Sequence, residues 1–496
     1  MRSRLSSLLY LSALAVTAAA DPTWPNAIDD LEEIMYQVFD FRARKFADLV
    51  HPCDNQGSGA GRQNAAEWLR TGFHDMSTAN TFFGTGGLDG SLQYELTNGE
   101  NAGPGFGRTL SFMAPYFSKK TSVADLIALG VYTSVRACDG PVIPVRHGRV
   151  DATRKGSTGV PQVGNSVLTF KQQFSRMGFD EFEMIQLVAC GHSLGGVHST
   201  EFPALVPSGQ FPNDRAPLDS TPASYDNHIV TEYLDDSTDN PLIKGPSVGL
   251  GHNSDFKVFS SDGNATMQAM ADNTVFQSTC QNVLGRMIDV VPKNVVLTNP
   301  VQPYMVKPVN LQLLLNAGGA TTLQWTGYIR VRTTELPLAD IQSVTITYKD
   351  RNGGSNCGSS TCSRTLTVSG IGRGFDDSFA VGFSTHSLDI IVEANEKPLS
   401  SSSPSTRQSP PPAASPPSPS PSTRKTATNF PSITTETPTP CKMPSSSRSS
   451  KPVSSRPPAL SRLPPPCATT LPIRLSARRL RTRRRAIRAL CHCCRR

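Results

Sequence analysis

Up to about residue 295 the apolar residues recur at helical spacing, with polar positions between them. In 27–50, Leu31, Ile34, Met35, Val38, Phe39 and Phe46 share one face, which predicts an amphipathic helix. The same period predicts helices over 123–138, 167–177, 181–194 and 267–291, and 64–70 reads as the start of another behind a Gly-rich loop. Loops rich in Gly, Pro, Asn and Asp separate these segments and are long enough to build a site. From 296 the period drops to two. Segments 323–325, 328–332, 343–348, 365–368 and 388–392 alternate or carry β-branched residues, and turn residues bound each of them. From 398 onward Ser, Pro and Thr dominate, a composition that cannot bury a core. The expected organisation is a mainly α domain at 21–295, a small β-rich domain at 296–395 and a disordered tail at 396–496.

The first residues refine this picture. Met1-Arg2-Ser3-Arg4 is basic, 5–16 is largely apolar, and Thr17-Ala18-Ala19-Ala20 offers small residues before Asp21. That is the pattern of a secretory signal peptide at 1–20. Its apolar run is too short to span a membrane, and no later segment is long enough. The expectation is a secreted, extracellular protein with no membrane contact. The net charge of +8 hides a division: residues 401–496 hold 18 Lys and Arg against one acid, Glu436, leaving 30 basic and 39 acidic residues before them. An acidic body gives no reason to expect nucleic-acid binding. The tail reads either as an O-glycosylated stalk or as a misassigned reading frame; its abrupt loss of acids and patterning favours the second. Six of the 11 cysteines (Cys53, Cys138, Cys190, Cys280, Cys357 and Cys362) lie in the body, an even number that an exported protein can pair. Connectivity stays open, with Cys357–Cys362 the shortest closure. Asn264-Ala265-Thr266 is the sole N-glycosylation sequon.

Two stretches carry chemistry. In Arg70-Thr71-Gly72-Phe73-His74-Asp75, an arginine and a histidine at i and i+4 share one helix face. A base beside a fixed positive charge can take a proton from a bound peroxide and stabilise the charge left behind. The second stretch, Gly191-His192-Ser193-Leu194-Gly195-Gly196, matches G-x-S-x-G, so an α/β-hydrolase (lipase-like) with Ser193 as nucleophile is the alternative. That motif needs a strand immediately before it, whereas Asp180 and the residues after it read as a helix start with acids in the first turn.

Several separated segments together resemble the plant-type haem peroxidase superfamily, in its secreted fungal, class II-type form. Arg70 to Asp75 is similar to the distal helix, and Gly86-Gly87-Leu88-Asp89-Gly90-Ser91 to the distal calcium loop. Asn101-Ala102-Gly103 is similar to the distal asparagine segment, and His147-Gly148-Arg149-Val150-Asp151 to the Gly-Arg-x-Asp stretch. Leu218-Asp219-Ser220-Thr221-Pro222-Ala223-Ser224-Tyr225-Asp226 is similar to the proximal calcium loop. The resemblance covers about 30–295 and implies two helical halves that sandwich haem b.

It also implies roles. His74 would be the acid–base residue, Arg70 the charge stabiliser, and Asn101 the holder of the His74 ring. Phe73 would pack over the haem. His192 would ligate the iron and donate its second N–H to a buried carboxylate, for which Phe259-Ser260-Ser261-Asp262 points to Asp262. Two Ca²⁺ sites are implied, one with Asp75, Gly87, Asp89 and Ser91, the other with Ser193, Asp219, Thr221, Ser224 and Asp226. Where manganese-oxidising relatives place three carboxylates, this chain has Gln63, Glu67 and His198, so a tight Mn²⁺ site is not expected. Leu187 and Leu218 stand where relatives place tryptophan or another aromatic. The expected function is reduction of H₂O₂ to water with one-electron oxidation of a small, phenolic electron donor, by a monomer. The β-rich domain reads as a candidate carbohydrate or cell-wall contact, which in a non-enzymatic reading would be the chain's main role.

Overall fold

The structure is a computed structural model that describes residues 25–315, 322–347, 356–357, 360–361, 363–381, 392–393 and 473–477. All of them belong to one compact unit. The expected signal peptide, the Cys357–Cys362 pairing, 388–391 and nearly all of the tail lie outside the described residues.

Helix α1, Asp29–Tyr36, ends well before the helix expected over 27–50. Asp40, Arg42 and Lys45 have φ of 62°, 63° and 61°, so three polar residues take the left-handed conformation that interrupts a helix. Strand β1, Phe39–Asp40, instead pairs with a distant strand, as Val38 N–H donates to Arg373 O and Phe41 N–H to Ile371 O. Helices α2 (Asn64–Met76) and α3 (Gly105–Met113) follow. Next comes α4, Val123–Ala137, whose Ser122 accepts from Asp125 N–H while the Asp151 carboxylate accepts from Val123 and Ala124 N–H. Such caps satisfy the donors a helix start leaves open. Nearly every residue of α4 is buried, which makes it the central helix. At Gly72 a side chain would collide with Val131 Cγ2, so the absence of a Cβ lets α2 lie close against α4.

Then come α5 (Val167–Met177) and α6 (Glu181–His192), the latter opened by a capping box between Asp180 and Glu183. A short hairpin, β2 (Gly196–His198) with β3 (Arg215–Pro217), precedes α7 (His228–Leu234), α8 (Pro241–Lys244) and α9 (Ser254–Phe259). The helix expected over 267–291 is two helices, α10 (Ala265–Ala269) and α11 (Asn273–Ile288). They break where Asp272 accepts from Thr274 and Val275 N–H and starts α11 afresh. Cys53–Cys138 ties the segment before α2 to the end of α4, and Cys190–Cys280 ties α6 to α11. The Gly-Arg-x-Asp stretch is an internal brace: buried Arg149 donates to Ile288 O and pairs with Asp125 at 3.1 Å.

The β-rich C-terminal region holds β4 (Val306–Leu315), β5 (Thr322–Arg332), β6 (Ile341–Thr347), β7 (Asn356–Cys357), β8 (Ser360–Thr361), β9 (Ser363–Leu366), β10 (Gly370–Arg373), β11 (Ser378–Val381) and β12 (Val392–Glu393). One sheet runs β1-β10-β11-β5-β12 with β4 also on β5. A second, β13-β6-β9, includes β13, Ile473–Ala477, from within the segment expected to be disordered. Its Ile473-Arg474-Leu475-Ser476 alternates apolar and polar residues, the period a strand needs. Ile329, Val331, Val344, Ile346, Leu366 and Ala380 form the small core of this region. Among the described residues no helix is long and apolar enough to cross a membrane.

Candidate active site

A cavity of about 310 Å³ opens among the helices. Helix α2 brings Arg70, Phe73 and His74 to it, and α6 brings Leu187, Val188 and His192. Leu218, Val258, Leu284 and Met287 complete an apolar lining.

His74 Nδ1 is 2.8 Å from Asn101 Oδ1, and Asn101 Nδ2 donates to Glu95 O at 3.0 Å. The second bond turns the amide oxygen toward the histidine. An amide oxygen only accepts, so Nδ1 carries the proton and Nε2 keeps its lone pair. Burial, and then the charge of Arg70, hold the His74 pKa well below the usual imidazole range. His74 is therefore a neutral base at neutral pH. Arg70 rests over the Phe106 ring, 4.4 Å from its centroid, and donates to Ala102 O at 3.2 Å. Burial lowers its pKa to about 10, against the opposing pull of Glu67 and Glu201, and it stays charged. Phe106 also contacts the His74 ring at 4.5 Å and had no role in the sequence reading.

His192 ends α6. Its Nδ1 lies 2.9 Å from Asp255 Oδ2, which also accepts from Asn240 Nδ2 at 3.0 Å. Burial lowers the His192 pKa, but the Asp255 carboxylate outweighs it and the net shift is upward. The carboxylate partner is thus Asp255, not the expected Asp262. Asp262 accepts from Thr266 N–H at 2.9 Å and Thr266 Oγ1 at 2.6 Å, and so braces the first turn of α10. Spacing holds the reason. Asp255 sits three and four residues before Val258 and Phe259, both in the core, so it shares their buried helix face. Asp262 leads into a Gly263-Asn264 turn, where Asn264 Oδ1 accepts from Tyr233 Oη at 2.7 Å.

Ser193 follows the end of α6, and its buried Oγ donates to Cys190 O at 3.3 Å. A helix precedes it where a nucleophile elbow requires a strand, which removes the hydrolase alternative. Cys190 itself is locked in a disulfide.

The two oxygen-rich loops are buried and acidic. Asp75 accepts from Gly90 N–H at 2.8 Å and Leu92 N–H at 2.9 Å. Burial, with Asp89 beside it, pushes its pKa up to about 8. The buried Ser91 hydroxyl faces the Asp89 carboxylate, whose pKa burial raises. In the second loop, Asp219 Oδ1 accepts from Thr221 N–H while Oδ2 is buried without a partner, and burial raises the pKa to about 7. Thr221 Oγ1 bonds Asp226, and Ser224 N–H donates to Thr221 O. Gly87 has φ of 111° and donates its N–H to Thr78 Oγ1. Among the described residues no group of three His, Cys, Asp or Glu side chains converges as a metal site.

Gln63, Glu67 and His198 do meet at the cavity, beside Arg62, Glu201 and Arg215. Arg62 pairs with Glu201 and lies 3.7 Å from Glu67, and Arg215 donates to Gln63 Oε1. Burial, and next the charge of Arg62, lower the His198 pKa to about 4. This arginine–glutamate pairing was not legible in the sequence, since its members are far apart along the chain.

Comparison with known proteins agrees with this geometry. Residues 53–289 match the family model described as peroxidase. A WSC domain-containing protein of Arthroderma benhamiae is 49% identical over 380 residues, 75% of this chain and 52% of that protein. The L-ascorbate peroxidase 5, peroxisomal, of Arabidopsis thaliana is 27% identical over 191 residues, 38% of this chain and 61% of that protein. The mitochondrial cytochrome c peroxidase of Yarrowia lipolytica is 28% identical over 176 residues, 34% of this chain and 48% of that protein. The chain thus spans about half the length of these relatives. With His74 held as a base beside Arg70 and His192 held by a carboxylate on the same cavity, residues 53–289 belong to the peroxidase family, in the plant-type haem peroxidase superfamily.

Proposed function

We propose that this protein is a secreted, monomeric haem b peroxidase that reduces H₂O₂ to water and oxidises small phenolic donors in one-electron steps. The observation that carries the reading is the pairing, on one cavity, of a neutral His74 next to charged Arg70 with a His192 bonded to Asp255. The cavity suits a flat, apolar group. Its walls are Phe73, Leu187, Leu218 and Met287, and His192, with Nδ1 engaged, has Nε2 available as a metal ligand. Haem bound there, held by His192, would supply one-electron redox chemistry.

The chain's own groups do the proton work. His74 Nε2 takes a proton from one oxygen of H₂O₂ and returns it to the departing oxygen, which leaves as water. Arg70 stabilises the charge that develops as the O–O bond breaks. Asn101 keeps the His74 proton on Nδ1, so that Nε2 is always the accepting nitrogen. Asp255 draws on the His192 N–H and makes the ring a stronger ligand. Two donors each give one electron and one proton, which balances H₂O₂ to two waters. The two disulfides support an extracellular setting. The adjacent buried carboxylates of Asp75 and Asp89 and the orphaned Asp219 Oδ2 support Ca²⁺ in the two loops, the first held by Asp75, Gly87, Asp89 and Ser91, the second by Ser193, Asp219, Thr221, Ser224 and Asp226. A single carboxylate among Gln63, Glu67 and His198 supports phenols over Mn²⁺ as donors.

The test is an absorption spectrum of the protein reconstituted with haem, before and after one equivalent of H₂O₂. A Soret band that shifts with peroxide, and far more slowly in His74→Ala, is the expected result. Absence of a Soret band in the folded protein sinks the reading.

A further inference from the structure

The family match stops at 53 and 289, and the chain continues on both sides of it. Those two flanks meet. Glu32 of α1 is fully buried and accepts from Lys307 Nζ at 2.7 Å and from Arg330. Tyr304 N–H donates to Glu32, and Tyr36 Oη to Val301 O at 2.9 Å. Strand β1 lies beside β10, with Phe39 opposite Arg373 and Asp40 opposite Gly372.

A second contact reaches the central helix. In the turn between β10 and β11, the Phe375 ring lies 5.5 Å from Phe39 and 6.3 Å from Tyr132, and Asp376 pairs with Arg136 at 2.5 Å. Tyr132 and Arg136 belong to α4, whose Val131 presses on Gly72 of α2. Gly72 lies midway between Arg70 and His74. The order of layers is therefore the 375–376 turn, then α4, then the helix that carries the cavity's base and its charge. The relatives divide in the same way. The Arthroderma match, at 380 residues, is longer than the segment 53–289, whereas the matches to the ascorbate and cytochrome c peroxidases, at 191 and 176 residues, are shorter.

We propose that the β-rich region is a fixed layer of the peroxidase unit, and that Phe375 and Asp376 are positioning residues that hold α4 and, through it, α2 at the cavity. A module appended by a linker would open on its own. A layer opens with the rest. The placement of α2 matters to catalysis only on the peroxidase reading above, whereas the layering itself does not depend on it.

Hydrogen exchange of the full-length protein, followed by mass spectrometry with and without added haem, tests both parts. The layer requires peptides from α1, α4, β5 and β11 to share one slow opening. Phe375→Ala and Asp376→Asn should then speed exchange in α4 and α2 about tenfold, with Phe375→Tyr and Asp376→Glu restoring it. In the haem-loaded protein the same variants should slow the peroxide step about tenfold and leave the KM for a phenol unchanged. Early opening of the β strands alone, with α4 and α2 unmoved in the variants, overturns the proposal. If Phe375→Ala does not fold, the wild-type exchange pattern and Asp376→Asn still decide it. Exchange without haem is read independently of any Soret band, so failure of the peroxidase reading and failure of this one are told apart.

Discussion

Two arginines in this molecule, Arg330 buried and Arg70 half-buried, are held in opposite ways. Arg330, at the seam between α1 and the β-rich region, is gripped by the Glu32 carboxylate, reaches Gln37 and lies over Phe379. Lys307 shares the same carboxylate, so two cations and one anion are sealed together with Glu33 3.9 Å from Lys307. Arg70, at the cavity, has a carbonyl and an aromatic face, and among the described residues no carboxylate within ion-pair distance. A charge paired with a buried carboxylate holds a fold together and is not free for a ligand. A charge kept in place yet unanswered, beside a histidine whose proton affinity it depresses, remains available to whatever enters. The Glu32 ion cluster and the cavity are thus separable by mutation.

The largest effect is expected at the cavity. His74→Ala removes the base and should slow the reaction with H₂O₂ by about 10²- to 10⁴-fold in stopped-flow, with the urea midpoint nearly unmoved. Because the His74 pKa lies well below the ordinary imidazole value, the wild-type rate should be flat from neutral pH downward until His74 protonates, and fall below that. A rate that falls already between pH 7 and 6 would contradict the buried, Arg70-flanked environment.

The seam should give the reverse pattern. Glu32→Gln leaves Lys307 and Arg330 buried beside a neutral amide, at a cost of roughly 3–5 kcal/mol in urea unfolding. The rate with peroxide, in the fraction that remains folded, should be close to wild type. A variant as stable as wild type would mean that water reaches the seam and that the ion cluster is only decorative.

Asp255→Asn tests the other side of the cavity. It keeps the shape but weakens acceptance from His192, and should lower haem affinity or the peroxide rate by about 10- to 100-fold. Equality with wild type would remove Asp255 from the site.

How legible was all this in the sequence? Helical period located α4, α5 and α6 almost to the residue, because each carries apolar residues at helical spacing behind a Ser or Asp cap. It failed at 37–50, where Val38 and Phe39 continue the apolar pattern but their backbone is claimed by a strand more than 300 positions away. Nothing local can announce such a partner. The cavity residues divide likewise. Arg70, His74 and His192 sit in motifs of contiguous residues, whereas Arg62–Glu201 and Glu32–Lys307 are joined only by folding.

Calcium should matter less than these, and with a definite sign. Without it, Asp75 and Asp219 have pKa values pushed to about 8 and about 7, far above the roughly 3.9 of an unfolded aspartate. The native state then keeps protons that the unfolded chain has lost, so stability falls as pH rises from about 4 toward 8. Ca²⁺ at the two proposed sites would favour the ionised carboxylates and cancel that slope. A chelator should therefore cost roughly 2–3 kcal/mol near pH 8 and much less near pH 5. An equal loss at both values would mean that these carboxylates do not face the ion.

The smallest effect should come from Asp262→Asn, and it is the sharpest control on the Asp255 assignment. The Asp262 carboxylate bonds only within its own turn, to Thr266 N–H and Thr266 Oγ1. Both bonds go to Oδ2, and an asparagine oxygen in its place can still accept them, so the expected loss is about 1 kcal/mol or less in unfolding free energy, as for other weakened helix starts. Haem affinity and the peroxide rate should not change, because His192 has its partner on α9, one helix earlier. If Asp262→Asn instead weakened haem binding as strongly as Asp255→Asn, the two carboxylates would be acting on one proton. The separation drawn between the residue that tunes the cavity and the residue that only shapes the turn behind it would then be wrong.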